Sequence, residues 1–212
     1  MNSIKWLGIW PLTTWIRVRT VRIIAGVAKG RTLGTVAGAT RPTSDRAREG
    51  LFSSLLSEFG DFLGLHVLDL FGGSGAIALE ALSRGASVAH VIEKDTDAQK
   101  TIENNFELVN KNKPVGRFHL FSMSAERFIS DPAKEKYHIV YIDPPYDFPD
   151  EEVIAILNKL HSGEFLKDDA LIAVERTAKR SQISWPDGFT GLRERNYGQA
   201  TIFYGSYTPE NG

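Results

Sequence analysis

One stretch constrains the fold of this chain more than any other: Val67-Leu68-Asp69-Leu70-Phe71-Gly72-Gly73-Ser74-Gly75-Ala76-Ile77-Ala78. An apolar run ends in an acid, glycines follow, and a helix of small residues starts at once. Open parallel sheets end their first strand and begin their first helix in this order. Glycine lacks a Cβ and tolerates positive φ, so such a turn brings backbone close to a ligand. The amides of the first helical turn then face that ligand. Gly73–Ala78 satisfies G-x-G-x-x-G/A, a pattern shared by several nucleotide-like cofactors and by plain strand-to-helix turns. The stretch predicts a cofactor site and leaves its chemistry open.

The chain around it alternates strand and helix. His66–Leu70 reads as a strand, and Gly75–Arg84 as a helix stopped at Gly85. Ser87–Ile92 follows as a strand and Asp95–Asn110 as a helix with Ala98, Ile102, Phe106 and Val109 inward. Arg117–Phe121 is a third strand, with a short helix running from Ser124-Ala125 to Ile129. Tyr137–Ile142 is a fourth strand, Asp150–His161 a helix, and Ala170–Val174 a fifth strand ending at Glu175. Phe189–Arg195 and Ala200–Tyr207 close the chain. This alternation implies a parallel sheet with helices on both faces. Glu93, with Lys94 beside it, lies 18 residues past Gly75, near the ~20-residue offset at which an acid takes ribose hydroxyls.

The segment before the sheet is basic. Residues 1–50 carry nine Lys and Arg against Asp45 and Glu49, a net of +7, which leaves −8 for the remainder of a chain of formal net charge −1. A basic arm beside an acidic body suits a polyanionic partner. Val21–Gly38 reads as a β-hairpin, with Lys29 and Arg31 on a mobile tip that reaches phosphates. In Arg41-Pro42-Thr43-Ser44-Asp45-Arg46-Ala47-Arg48, Pro42 holds Arg41 extended and Thr43 or Ser44 caps a helix that continues through Leu56. Arg41, Arg46 and Arg48 are candidates to face substrate or cofactor. Met1–Thr20 is tryptophan-rich but too short for a membrane span, which needs ~20 apolar residues, and it lacks a signal-peptide cleavage site. The 212 residues contain no cysteine, which excludes disulfides and zinc-thiolate sites and suits the cytoplasm.

Asp143-Pro144-Pro145-Tyr146 is the more specific motif. It follows an apolar strand, so a wound sheet places it at the carboxyl edge beside the glycine loop. The exocyclic amine of a nucleobase is a poor nucleophile because its lone pair is delocalised into the ring. The Asp143 carboxylate and the Pro144 carbonyl can accept its two N–H bonds and aim the lone pair at an electrophile. Two prolines hold that carbonyl rigid, and Tyr146 offers a face for the base. The electrophile implied is the methyl of S-adenosylmethionine, with Asp143 a candidate acceptor of the departing proton.

At these residues the chain resembles the amino-methyltransferases of nucleic acids. Val21-Arg-Ile-Ile-Ala-Gly26, Lys29-Gly-Arg31, Arg41-Pro-Thr43, Asp45-Arg46-x-Arg48-Glu49 and Leu79-Glu-Ala-Leu-Ser-Arg-Gly-Ala86 narrow the likeness. Together they are similar to the bacterial small-subunit rRNA methyltransferases that modify N2 of a guanine in 16S rRNA. The resemblance runs from Val21 to Tyr207. It implies a Rossmann-like class I methyltransferase with a seven-stranded, mostly parallel sheet and an N-terminal β-hairpin extension. By that likeness residues 1–20 are an extension, 21–40 an RNA-binding arm, and 41–208 the methyltransferase domain.

The resemblance also implies roles by position. Asp69, Gly72, Gly73, Ser74 and Gly75 line the methionine and ribose end of the cofactor, Glu93 takes the ribose, and Ser124-Ala125 flank adenine. Asp143, Pro144 and Tyr146 hold the guanine, while Lys29, Arg31, Arg41, Thr43, Arg46 and Arg48 meet RNA. S-adenosylhomocysteine is the product and no metal is needed. The implied partner is 16S rRNA or the assembling or assembled small subunit, met by a cytoplasmic monomer. Relatives carry an acid where Ser124 stands, so a weaker bond to the adenine amine is expected here. Relatives begin near Val21, so residues 1–20 are expected to stem from an upstream start and to be poorly ordered.

Three other readings compete. A DNA adenine-N6 or cytosine-N4 methyltransferase shares Asp-Pro-Pro-Tyr but commonly carries a recognition domain, for which few residues remain after Tyr207. A nicotinamide oxidoreductase uses the glycine pattern and leaves Asp-Pro-Pro-Tyr unexplained. A silent RNA-binding module binds RNA without consuming cofactor.

Overall fold

The computed structural model of the protein describes residues 20–36, 45–111, 113, 115–178 and 182–209. The sequence readings of residues 1–19, Arg41 and Thr43 lie outside them. The described elements are β1 (Val21–Arg22), β2 (Thr32–Leu33), α1 (Asp45–Phe59), β3 (His66–Asp69), α2 (Ala76–Arg84), β4 (Val88–Ile92) and α3 (Thr96–Asn110). They continue with β5 (Arg117–Phe121), α4 (Ala125–Phe128), β6 (Tyr137–Ile142), α5 (Asp150–Ser162), β7 (Leu166–Thr177), β8 (Phe189–Tyr197) and β9 (Ala200–Tyr207).

Strands β3 to β9 form one seven-stranded sheet in the order β5-β4-β3-β6-β7-β9-β8. The first five strands of that order run parallel, and β9 is antiparallel to both its neighbours. The chain winds outward from β3 to β4 and β5, then crosses back to β6. The crevice at that reversal, outside the carboxyl ends of β3 and β6, is where open α/β sheets bind ligands.

Strand residues alternate faces, and here both faces are covered, so the central strands read as unbroken apolar runs. Val67, Ile139, Tyr141, Leu171 and Ala173 pack with Ala47, Leu51, Phe52 and Leu55 of α1. The intervening Leu68, Val140, Ile142, Ile172 and Val174 pack with Val153, Ile156, Leu157 and Leu160 of α5. Ala89 and Val91 meet α2 and α3. Each such fully buried aliphatic side chain contributes about 1.5–3 kcal/mol, which ties the sheet's register to its helices.

β7 is longer than its apolar core predicts. It starts at Leu166 and ends at Thr177, beyond the expected Ala170–Val174. Asp168 and Asp169 are exposed, and Glu175 and Arg176 are buried although charged. A hydropathy pattern does not anticipate either pair.

The N-terminal hairpin also departs from expectation. β1 and β2 pair antiparallel, but the loop between them does not stand off as a mobile arm. The buried Glu80 carboxylate of α2 accepts the amides of Ile24 at 2.6 Å and Ala25 at 3.0 Å. Ser83 Oγ accepts Ala28 N–H and donates to Ala25 O. Gly26 lies so close to α2 that a Cβ there would sit 1.8 Å from Ser83 O. The hairpin is thus part of the body, sealed by Val21, Ile23, Ala28 and Leu33 in a shared apolar cluster.

Candidate active site

The glycine loop extends β3. Leu70 N–H donates to Tyr141 O on β6, and Gly72 N–H donates to Ile92 O on β4. A Cβ on Gly72 would meet Val91 Cγ1 at 2.3 Å, so the backbone packs against β4 where no other residue fits. Gly73 and Gly75 have φ of 54° and 75°, the left-handed region that glycine enters without strain. Gly75 immediately precedes α2 and offers no side-chain cap.

At the carboxyl edge a cavity of about 280 Å3 opens beside this loop. Gly73, Glu93, Lys94, Ser124, Ala125, Asp143, Pro144 and Tyr146 all line it, so the structure gathers residues from four loops that the sequence separates. Asp69, Gly72, Ser74 and Gly75, expected to line the cofactor, are not part of that wall. Asn105 of α3 donates to Ser74 O at 2.9 Å and to Gly34 O at 3.0 Å, joining the glycine loop to the segment that leaves the hairpin.

The acids at the strand ends differ in environment. Asp69 is buried, and burial pushes its pKa up to about 7; the Phe71 amide at 3.4 Å works against that shift, and the neighbouring Glu93 adds to it. A cation bound nearby would favour the ionised form. Glu93 spans two amides, with Oε2 accepting from Gly73 and Oε1 from Asp95, each at 2.8 Å. Its carboxylate retains lone pairs for hydroxyl donors. Ser124 caps α4 by accepting Arg127 N–H at 3.3 Å.

The loop after β6 is braced. Phe148 N–H donates to Pro145 O at 2.9 Å, which closes a turn over Tyr146, itself 45% exposed. The buried Arg176 of β7 donates to Phe148 O and to Asp150 Oδ1. Phe71 and Phe148 meet edge to face with centroids 5.5 Å apart, bringing the glycine loop and the Asp-Pro-Pro-Tyr loop into contact.

Several candidates for RNA or cofactor contact take other positions. Arg48 is fully buried and donates to Arg22 O and Asp45 Oδ1, each at 2.7 Å. Burial lowers its pKa, with Asp45 opposing that effect. The expectation that Arg48 faces substrate is therefore corrected: it bolts β1 to α1. Arg31 turns toward Leu108 O on α3 rather than outward. Lys29 and Arg46 are exposed.

Sequence reasoning passed over Phe71, Met123, Glu126, Phe148, Glu175, Tyr197 and Gln199, which share the cavity wall. Glu175 alone carried a signal, as an acid at the end of a parallel strand. Of the other six, Phe71, Met123, Phe148 and Gln199 lie in loops or turns, Glu126 in the short α4 and Tyr197 at the end of β8, and their approach depends on the folded sheet.

A chain of this geometry is similar to proteins already known. It is 33% identical over 180 residues to the ribosomal RNA small subunit methyltransferase D of Escherichia coli, covering 84% of this chain and 86% of that protein. A solved methyltransferase-fold chain from Escherichia coli matches with a TM-score of 0.76 and 29% identity, covering 90% of this chain and 99% of that one. The magnesium protoporphyrin IX methyltransferase of Synechocystis, solved with S-adenosylmethionine bound, shares the fold at 17% identity and a TM-score of 0.59, over 77% of this chain and 79% of that one. The family model described as conserved hypothetical protein 95 matches residues 21–206, and the chain belongs to that family.

Proposed function

We propose that this protein transfers the methyl group of S-adenosylmethionine to the exocyclic N2 of a guanine in 16S rRNA, releasing S-adenosylhomocysteine. The observation that carries this reading is that Asp143 and Pro144 open onto the same cavity as Gly73 and Glu93. The name of the Escherichia coli relative supports the rRNA substrate, and the shared fold supports the methyl donor.

The residues present fit that donor. The glycine loop leaves room for backbone approach, and Glu93 lines the cavity where it is placed for ribose hydroxyls. When bound, S-adenosylmethionine supplies an electrophilic methyl on a cationic sulfonium, open to in-line displacement. Asp143 and the Pro144 carbonyl each accept one N2–H and turn the amine lone pair toward that methyl. Tyr146 stacks on the base. Asp143 accepts the proton released as the N–C bond forms, directly or through water. Most of the acceleration then comes from positioning and fixed electrostatics.

The enzyme works in the cytoplasm as a monomer, on assembling or assembled small subunits. Among the described residues no helix is long and apolar enough to cross a membrane, and no group of three or more His, Asp or Glu could hold a metal ion. The test is transfer from labelled S-adenosylmethionine to unmethylated small subunits, naked 16S rRNA and DNA, followed by mapping of the modified base. N2-methylguanine in 16S rRNA is expected; label confined to DNA overturns the reading.

A further inference from the structure

The Asp143–Pro144 pair cannot by itself choose a base. Adenine, cytosine and guanine all present two N–H bonds on an exocyclic amine, and both acceptors would engage any of them. The three differ at the ring nitrogen beside the amine. Adenine N1 and cytosine N3 carry lone pairs, whereas guanine alone has a hydrogen-bearing ring nitrogen, N1, beside its amine, with the lone pair of N3 on the other side. A residue that reads this position must therefore lie next to Asp143.

The sheet places Glu175 there. Ile142 pairs with Val174 across β6 and β7, and the residues that follow them, Asp143 and Glu175, reach the cavity from these neighbouring strands. Neighbouring strands are about 4.8 Å apart. Both acids line the cavity, and Glu175 is only 5% exposed. Its Oε2 accepts the hydroxyl of the buried Tyr141 at 2.6 Å, which holds the carboxylate in one orientation. A carboxylate has about four acceptor positions, of which the Tyr141 hydroxyl takes one.

We infer that Glu175 is the base-selecting residue: it accepts N1–H of the target guanine beside the Asp143–Pro144 amine clamp. This inference rests on the guanine-N2 reading above. An ionised carboxylate is an acceptor only, so it bonds guanine N1–H and repels the lone pair of adenine N1 or cytosine N3. Tyr141 acts through Glu175 as a positioning residue. Tyr197 at the end of β8, Gln199 in the turn that follows and Ala200 at the start of β9 line the same cavity.

The test uses small subunits reconstituted on 16S rRNA carrying either guanine or 2-aminopurine at the mapped target. 2-Aminopurine keeps the amine but has a lone pair at N1. The native protein should prefer guanine. Glu175→Gln, whose amide can rotate to donate to that lone pair, should shrink the guanine to 2-aminopurine ratio of kcat/KM about tenfold or more, the discrimination typical of one specific hydrogen bond to a base. Tyr141→Phe should shrink it less. The missing 2-aminopurine carbonyl affects both proteins alike, and a ratio does not depend on how much variant is folded. Methylation of guanine with an unchanged ratio in Glu175→Gln overturns this inference and leaves the proposed function standing. Failure of the native protein to methylate guanine overturns both.

Discussion

At the scale of single residues, chemistry follows environment more than identity. Asp69 and Asp143 both close a parallel strand, yet Asp69 is buried beneath the glycine loop and Asp143 lines the cavity. In the proposed reaction, replacing Asp143 with alanine removes one of two acceptors on the reacting amine. Methyl transfer is expected to fall roughly 10²–10⁴-fold, as for loss of a positioned acceptor and base. S-adenosylmethionine affinity, measured by calorimetric titration, should stay within a few-fold. An equal loss of affinity would mean that Asp143 mainly shapes the cofactor pocket. Arg48 and Arg176 illustrate the same point for cations. Both are buried among carbonyls and carboxylates, where hydrogen bonds from a charged group are worth about 1.5–3 kcal/mol. Arg176 directs them to Phe148 and Asp150, so it braces the end of the loop that carries Tyr146.

At the scale of elements, α2 has two duties. Its N-terminus follows the glycine loop, and its far end anchors the hairpin through Glu80 and Ser83. Asn105 ties the same two regions together from α3. A docked hairpin presents a fixed surface, and Lys29 is an exposed cation in its loop. Lys29→Ala should weaken rRNA binding and lower the slope of log K against log salt by roughly one for each phosphate that the lysine neutralises. Arg31→Ala should change that slope less, because Arg31 is turned to Leu108 O. Filter binding across a salt series measures both. An unchanged slope for Lys29→Ala would remove the hairpin loop from the RNA interface.

At the scale of the whole molecule, the two edges of the sheet carry opposite chemistry. The carboxyl edge holds acids around a cavity, and toward the other end His66, His138, His90 and His119 lie among Glu135 and Tyr137. His66 and Glu135 are 3.0 Å apart, and His90 Nδ1 meets the Tyr137 hydroxyl at 2.7 Å. Burial pulls the His90 pKa down to about 4, with Glu135 opposing it. The unfolded chain therefore takes up a proton near pH 6.5 that the folded chain resists until about pH 4. Stability falls as pH drops through that window, by about 1 kcal/mol at pH 5 once solvent screening is allowed for. Thermal unfolding at about pH 7.5 and pH 5 should show a larger loss for the native protein than for His90→Gln. Equal losses would place the acid sensitivity elsewhere.

The alternation of strand and helix, the stop at Gly85, and the β5, β6 and β9 boundaries were all legible in the sequence. These depend on neighbours a few residues away: apolar period, capping residues and glycine. The same holds for Gly73, Glu93, Ser124, Asp143 and Tyr146, because a residue just after a parallel strand arrives at the carboxyl edge whatever else the chain does. Other features required partners distant in sequence. Glu175 gained its place beside Asp143 from the register of β6 on β7, Arg176 its place from a loop 26 residues away, and Arg48 its burial from β1. The opening glycine stretch shows both sides. By itself it determined a turn with bare backbone and pointed to a nucleotide-like ligand. Which loops would stand opposite it was decided only when β3 paired with β6 and the apolar faces of both packed against α1 and α5, since hydrophobic burial sets strand order and register and so chooses which side chains meet.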